Sequence, residues 1–138
     1  MAASEDGTKV QHERLVRHAA EMMKGKGFSQ VQTNLAESAR PPSPIHWERD
    51  GSGHVPDITG VRGGRRHIWE VETAGTLGSH EVVERLKLFA TYADRNRCTF
   101  SLIIPGPCRE EAVRRLAECG VFAGIIELPV DTANEPSA

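Results

Sequence analysis

The chain has 138 residues, 38% hydrophobic and 26% charged, with a formal net charge of −2. That length suits one domain, here read as 1–130 with a flexible polar tail over 131–138, and its core needs no disulfide or metal staple. The charge balance excludes a uniformly basic nucleic-acid binder, so such a partner would have to meet a local basic patch. No apolar run approaches the length of a membrane span. The polar start from Met1 to Val10 lacks the apolar stretch of a signal peptide, so a cytoplasmic location is the default expectation. Cys98, Cys108 and Cys119 are odd in number and show no CxxC spacing. They read as free thiols in a reducing compartment.

The first helix is predicted from Thr8 to about Lys26. Thr8 with Gln11 three residues on has the form of a capping box. Leu15, Val16, Ala19, Met22 and Met23 recur at helical spacing, and Gly25 and Gly27 stop the run. Glu13 lies near the edge of that apolar stripe, where a solvated helix residue is its plain reading. A weakly patterned strand follows over Phe28 to Leu35. Arg40-Pro41-Pro42-Ser43-Pro44 belongs to an irregular stretch, since proline interrupts both helices and central strands. Ile45 and Trp47 dock that stretch or form a short strand of their own.

Two strands then flank Gly63-Gly64, a pair suited to a two-residue turn with positive backbone angles. Counting back from that turn places Asp57 opposite Glu70. Alternation along the strand puts Glu72 on the same face as Glu70. Directly opposed side chains have Cβ atoms roughly 4.5–5.5 Å apart, and like charges there repel. Ile58, Ile68, Trp69 and Val71 make the hairpin read as buried, so a positive species between the carboxylates is expected. A hard divalent cation is the natural candidate, and an exposed acidic face is the plain alternative. The assignment depends on register, because a one-residue slip moves one strand's side chains to the other face.

Ala74 to Gly78 reads as a turn. Ser79 caps the next helix, with Glu81 in its first turn. Val82, Val83, Leu86, Phe89, Ala90 and Ala93 form that helix's stripe to about Arg95, with Arg85, Lys87, Arg95 and Arg97 clustered along it. Cys98 to Ile104 is a buried strand. Pro107 opens a last helix running to about Cys119, with Ala112, Val113, Leu116 and Ala117 inward and Gly120 ending it. Gly124 to Leu128 is the final strand. The expected architecture is α/β: a mixed sheet flanked by helices on both faces, an α-β-β-β-α-β core with a C-terminal helix and strand added.

Pro56-Asp57, then Glu70-Val71-Glu72 on the following strand, taken with this element order, resembles the PD-(D/E)XK nuclease superfamily, which has the restriction-endonuclease-like fold. The resemblance spans roughly Thr8 to Ile104. Asp57 matches the family aspartate and Glu70 its second acidic residue. Glu13 falls where many members place a further acidic residue on the first helix. Glu72 stands in the slot usually held by lysine, and some active members carry glutamate there. The resemblance implies hydrolysis of phosphodiesters in nucleic acid, DNA before RNA, with Mg²⁺ or Mn²⁺. Asp57 and Glu70 would be metal ligands, joined by the Val71 carbonyl and by Glu72, with Glu13 acting through water. Glu72 could instead accept a proton from the metal-bound water. A homodimer is the expected working form where two strands are cut.

His80 reaches toward the same patch or is simply a polar first-turn residue, and His54 is similarly open. His12, His18, His46 and His67 show no ligand spacing. Arg62, Arg65 and Arg66 crown the hairpin as phosphate contacts or as a solvated turn. Two other classes stay open: a nuclease-fold module that binds nucleic acid or a protein without cutting, and a small-molecule-binding domain. The second is weakened because no glycine-rich phosphate loop opens a helix here.

Overall fold

The computed structural model describes residues 5–129. The tail expected over 131–138 lies outside the described residues. The elements run α1 (Glu5–Gly25), β1 (Ser29–Thr33), β2 (Ile45–His46), β3 (Gly53–His54), β4 (Ile58–Arg62), β5 (Arg65–Val71), α2 (Ala74–Leu77), α3 (His80–Asn96), β6 (Thr99–Pro105), α4 (Arg109–Cys119) and β7 (Gly124–Leu128). Five strands form one mixed sheet in the order β1-β4-β5-β6-β7, and β2 and β3 form a separate ribbon. This is the expected α/β architecture.

The β4–β5 hairpin positions the site. Gly63 and Gly64 take φ of 60° and 77°, and the antiparallel register runs from Arg62 opposite Arg65 to Ile58 opposite Trp69. One step further brings Asp57 against Glu70. β6 then lies parallel to β5, and β7 parallel to β6, as strand–helix–strand crossovers require.

Alternation along the strands divides the core into two layers. Ile58, Trp69, Val71 and Ile103 meet Leu15, Val16, Ala19 and Met23 of α1. Ile68, Phe100, Leu102 and Ile104 meet Leu86 and Phe89 of α3 and Leu116 of α4. Ile45 of β2 is buried in the second layer, with Trp47 packed against it. Trp69 stands edge-on to Phe28 with ring centroids 4.8 Å apart. Gly60 lies close under that ring, since a Cβ there would stand 3.1 Å from it and the ring would have to shift. Gly60→Ala should therefore destabilise the protein by about 1–3 kcal/mol through overpacking. Chemical denaturation checks this, and an unchanged midpoint would show that Trp69 has room to move.

Four local expectations are corrected. The first helix begins at Glu5, so Thr8 lies inside it and does not cap it. Ala74–Leu77 is a short helix rather than a turn. Thr73 accepts from Gly75 N–H, and Thr76 Oγ1 accepts from Thr73 N–H, completing a capping box. Pro107 lies in a 3-10 turn over Gly106–Cys108, and α4 opens two residues later, at Arg109. On α4, Ala112 and Leu116 face inward, whereas Val113 is 51% exposed and Ala117 is exposed too. Ser79 does cap α3, accepting from Val82 N–H at 3.3 Å, and Gly120 ends α4 at φ 70°. No described helix is long and apolar enough to cross a membrane.

Candidate active site

A cavity of about 490 Å³ opens where the start of β4, the end of β5, α1, α2 and α3 meet, and Asp57, Glu70 and Glu72 all line it. Asp57 and Glu70 are tied by backbone bonds. Asp57 N–H donates to Glu70 Oε1 at 2.8 Å, and Val71 N–H donates to Asp57 Oδ2 at 2.9 Å. Val71 thus takes part through its N–H as well as lying between the two glutamates. Glu70 and Glu72 are 2% and 1% exposed. Burying such groups is unfavourable without a positive partner.

Arg85 of α3 supplies that partner. Its Nε lies 3.2 Å from Glu70 Oε2, and its Nη2 lies 3.4 Å from Glu72 Oε2. On the other side, His12 of α1 places Nε2 3.1 Å from Asp57 Oδ2. The carboxylates are thus held by Arg85 and His12 from opposite faces of the sheet, where the sequence pointed to a divalent cation or an exposed acidic face. Glu72 Oε1 remains buried with no hydrogen-bond partner among the described residues.

The electrostatics follow from this packing. Burial pushes the Glu70 carboxyl well above its ordinary range, and Asp57 and Glu72 push it the same way. Burial raises Glu72 too, with Arg85 and the Thr76 hydroxyl close by opposing it. The hydrogen bond to Asp57 raises the His12 pKa although burial works against it. Burial disfavours the Arg85 charge, but Glu72 and Glu70 more than compensate, so its pKa rises.

The other predicted residues are placed elsewhere. Glu13 is half-buried and outside the cavity lining, near enough to Arg17 to favour its charge. His12, one residue earlier, is the α1 residue that reaches Asp57. His80 is exposed, and His54 pairs with Ile45 in the small ribbon; neither lines the cavity. At the far end of the hairpin, Arg62 Nη1 donates to the Lys26 carbonyl and Arg65 Nη1 to the Arg97 carbonyl. Arg62 also lies 4.4 Å above the Phe28 ring. Two of the three hairpin arginines thus brace the fold.

His12, Arg85 and Lys9 line the cavity, and no sequence pattern singled them out for it. His12 meets Asp57 across 45 positions, beyond any local motif. Arg85 carried a usable signal, since it borders the buried stripe at Val82 and Leu86 and two buried glutamates require a cation.

No family model, curated protein or solved structure matches the chain. Among the described residues, no group of three or more His, Cys, Asp or Glu side chains is arranged to hold a metal ion. The donor set nevertheless fits a hard divalent cation in kind, being carboxylate oxygens with Glu72 Oε1 unpartnered. A cation there would also oppose the upward push on Glu70.

Because the Glu70 pKa is raised on folding, its protonation stabilises the protein. That contribution is complete below the ordinary carboxylate value and is lost as pH rises through the folded value. His12 acts in the same direction, its contribution complete below about 6.5 and lost through its own raised value. The metal-free protein should therefore melt lower at about pH 8 than at about pH 6. Glu70→Gln keeps an acceptor for Asp57 N–H and removes a repelled charge. It should raise the metal-free melting temperature at neutral pH by several degrees, roughly 3–6 °C for each kcal/mol relieved. A lower melting temperature for the variant would show that the Arg85 pair outweighs the repulsion.

Proposed function

We propose that the chain is a nuclease of the PD-(D/E)XK kind, hydrolysing phosphodiester bonds with Mg²⁺ or Mn²⁺. What supports this reading is one observation: a single hairpin brings Asp57 against Glu70 in a cavity that also receives Glu72. Asp57, Glu70 and Glu72 would hold the ion, with the Val71 carbonyl beside them. When bound, such an ion neutralises phosphate charge and lowers the pKa of a water. Glu72 can accept a proton at its unpartnered Oε1. His12, oriented by Asp57, can hold a proton at the cavity wall. DNA is preferred to RNA on the family resemblance, and a cytoplasmic, dimeric working form belongs to the same proposal.

A second reading is a non-cutting module that binds nucleic acid or a protein. The observation favouring it is that Arg85 already pairs with both Glu70 and Glu72 without a metal. The test is cleavage of single-stranded, duplex and branched DNA and of RNA, with Mg²⁺ and with Mn²⁺. Slow, metal-dependent cutting of at least one substrate is expected, and failure on all of them leaves only the binding module. Calorimetry with Mn²⁺ should show weak binding to the wild type that Asp57→Ala removes. Equal binding by both proteins would move the metal elsewhere.

A further inference from the structure

Arg85 stands apart from the other arginines with described contacts. Arg62 and Arg65 are committed to backbone carbonyls, and Arg17, Arg49, Arg95 and Arg109 to exposed carboxylates. Arg115 is also enclosed, but it is tied to Glu118 and the Ser79 carbonyl outside the cavity. Arg85 is the one that lines the carboxylate cavity, with its side chain 23% exposed. Nε faces Glu70 and Nη2 faces Glu72, whereas Nη1 has no described partner and is not among the buried unpartnered atoms. A guanidinium carries five N–H donors in a fixed plane, so donors remain beyond those turned to the glutamates. An anionic oxygen inside the cavity therefore shares its walls with this guanidinium and with the carboxylates.

We propose that Arg85 is a substrate contact: it binds a phosphodiester oxygen in the cavity while Glu70 and Glu72 hold its guanidinium in place. This rests on the nuclease reading for the identity of the anion. The two glutamates then have a second role, since they fix the plane of the arginine that receives the phosphate. Lys9, on the same cavity wall, adds positive charge without a described ion pair.

The test removes the cation together with one of its two carboxylate partners, so that Glu70 alone is left without its cation. Glu72→Gln with Arg85→Gln deletes both members of one ion pair, so net charge is unchanged. Replacing a buried pair by neutral groups is far milder than breaking it. Glu72→Lys with Arg85→Glu reverses the pair and returns a cation to the cavity from the residue that follows β5. Glu72→Lys alone would set two cations against each other and is a poor probe. The readout is binding of a short DNA duplex and of a single strand, with Ca²⁺ and with EDTA, over a series of salt concentrations; a loss that persists in EDTA cannot come from the Glu72 metal ligand, and melting curves confirm that both variants fold.

Losing one phosphate contact should weaken the pair-deleted variant about tenfold and reduce its salt slope by about one. The reversed pair should recover most of both. An unchanged affinity and slope in the pair-deleted variant would overturn the proposal and leave Arg85 as a brace for the carboxylates, with the nuclease reading intact. Wild type that binds no DNA even at low salt would overturn both. Wild type that binds with the expected slope change but cuts nothing would uphold the Arg85 contact and remove only the catalysis.

Discussion

Arg85→Ala is expected to destabilise the metal-free protein by about 3–5 kcal/mol at neutral pH, the usual effect of removing one partner from a buried ion pair. The melting temperature should fall by about 10 °C or more. Among the described residues, Arg85 is the cation in bonding contact with Glu70 and Glu72. Without it, two enclosed carboxylates face Asp57 and each other, and Glu72 loses its charge partner while already carrying one unpartnered oxygen. The deficit should depend on pH in a defined direction. Both glutamates have raised pKa values on folding, and removing Arg85 raises them further. Their protonated forms are tolerated, so the deficit is small in acid and grows as pH rises through those values. Mn²⁺ should recover part of it, by about 2.7 kcal/mol at a hundredfold excess over its Kd. Chemical denaturation at several pH values, with and without Mn²⁺, is the measurement. A deficit below about 1 kcal/mol, or one that does not change with pH, would mean that water reaches these carboxylates freely.

Asp57→Asn is expected to lower metal-dependent cleavage by about 10³-fold or more, in the range seen when a central electrostatic group of an active site is lost. Asparagine keeps the volume and an oxygen that can accept from Val71 N–H, so the hairpin should survive. What disappears is the charge that would hold the metal and the carboxylate that orients His12 and favours its proton. Repulsion with Glu70 also falls, so the metal-free melting temperature should hold or rise. Stability kept while cleavage is lost is the signature of a functional carboxylate. Cleavage within tenfold of wild type would move the active site away from this cavity. A fall in both quantities together would mark Asp57 as structural.

The hairpin was legible because its determinants are local. Gly63-Gly64 sets the turn, alternation sets the faces, and the count along the two strands brings Asp57 to Glu70. The Ser79 cap, the Gly120 stop and the Gly124–Leu128 strand are likewise short-range patterns, and each appears where its own residues place it. The sequence therefore determined the carboxylate cluster and the sheet that carries it. Other features needed the assembled molecule. Adjacent helical residues point about 100° apart, so the docking angle of α1 decided that His12, not Glu13, reaches Asp57. The line along which α4 settles decided that Val113 and Ala117 stay outside while Ala112 and Leu116 go in. Above all, tertiary packing decided the neutralising charge. A buried carboxylate pair requires a cation without specifying its source, and only the placement of α3 against the end of β5 brings Arg85 to Glu70 and Glu72.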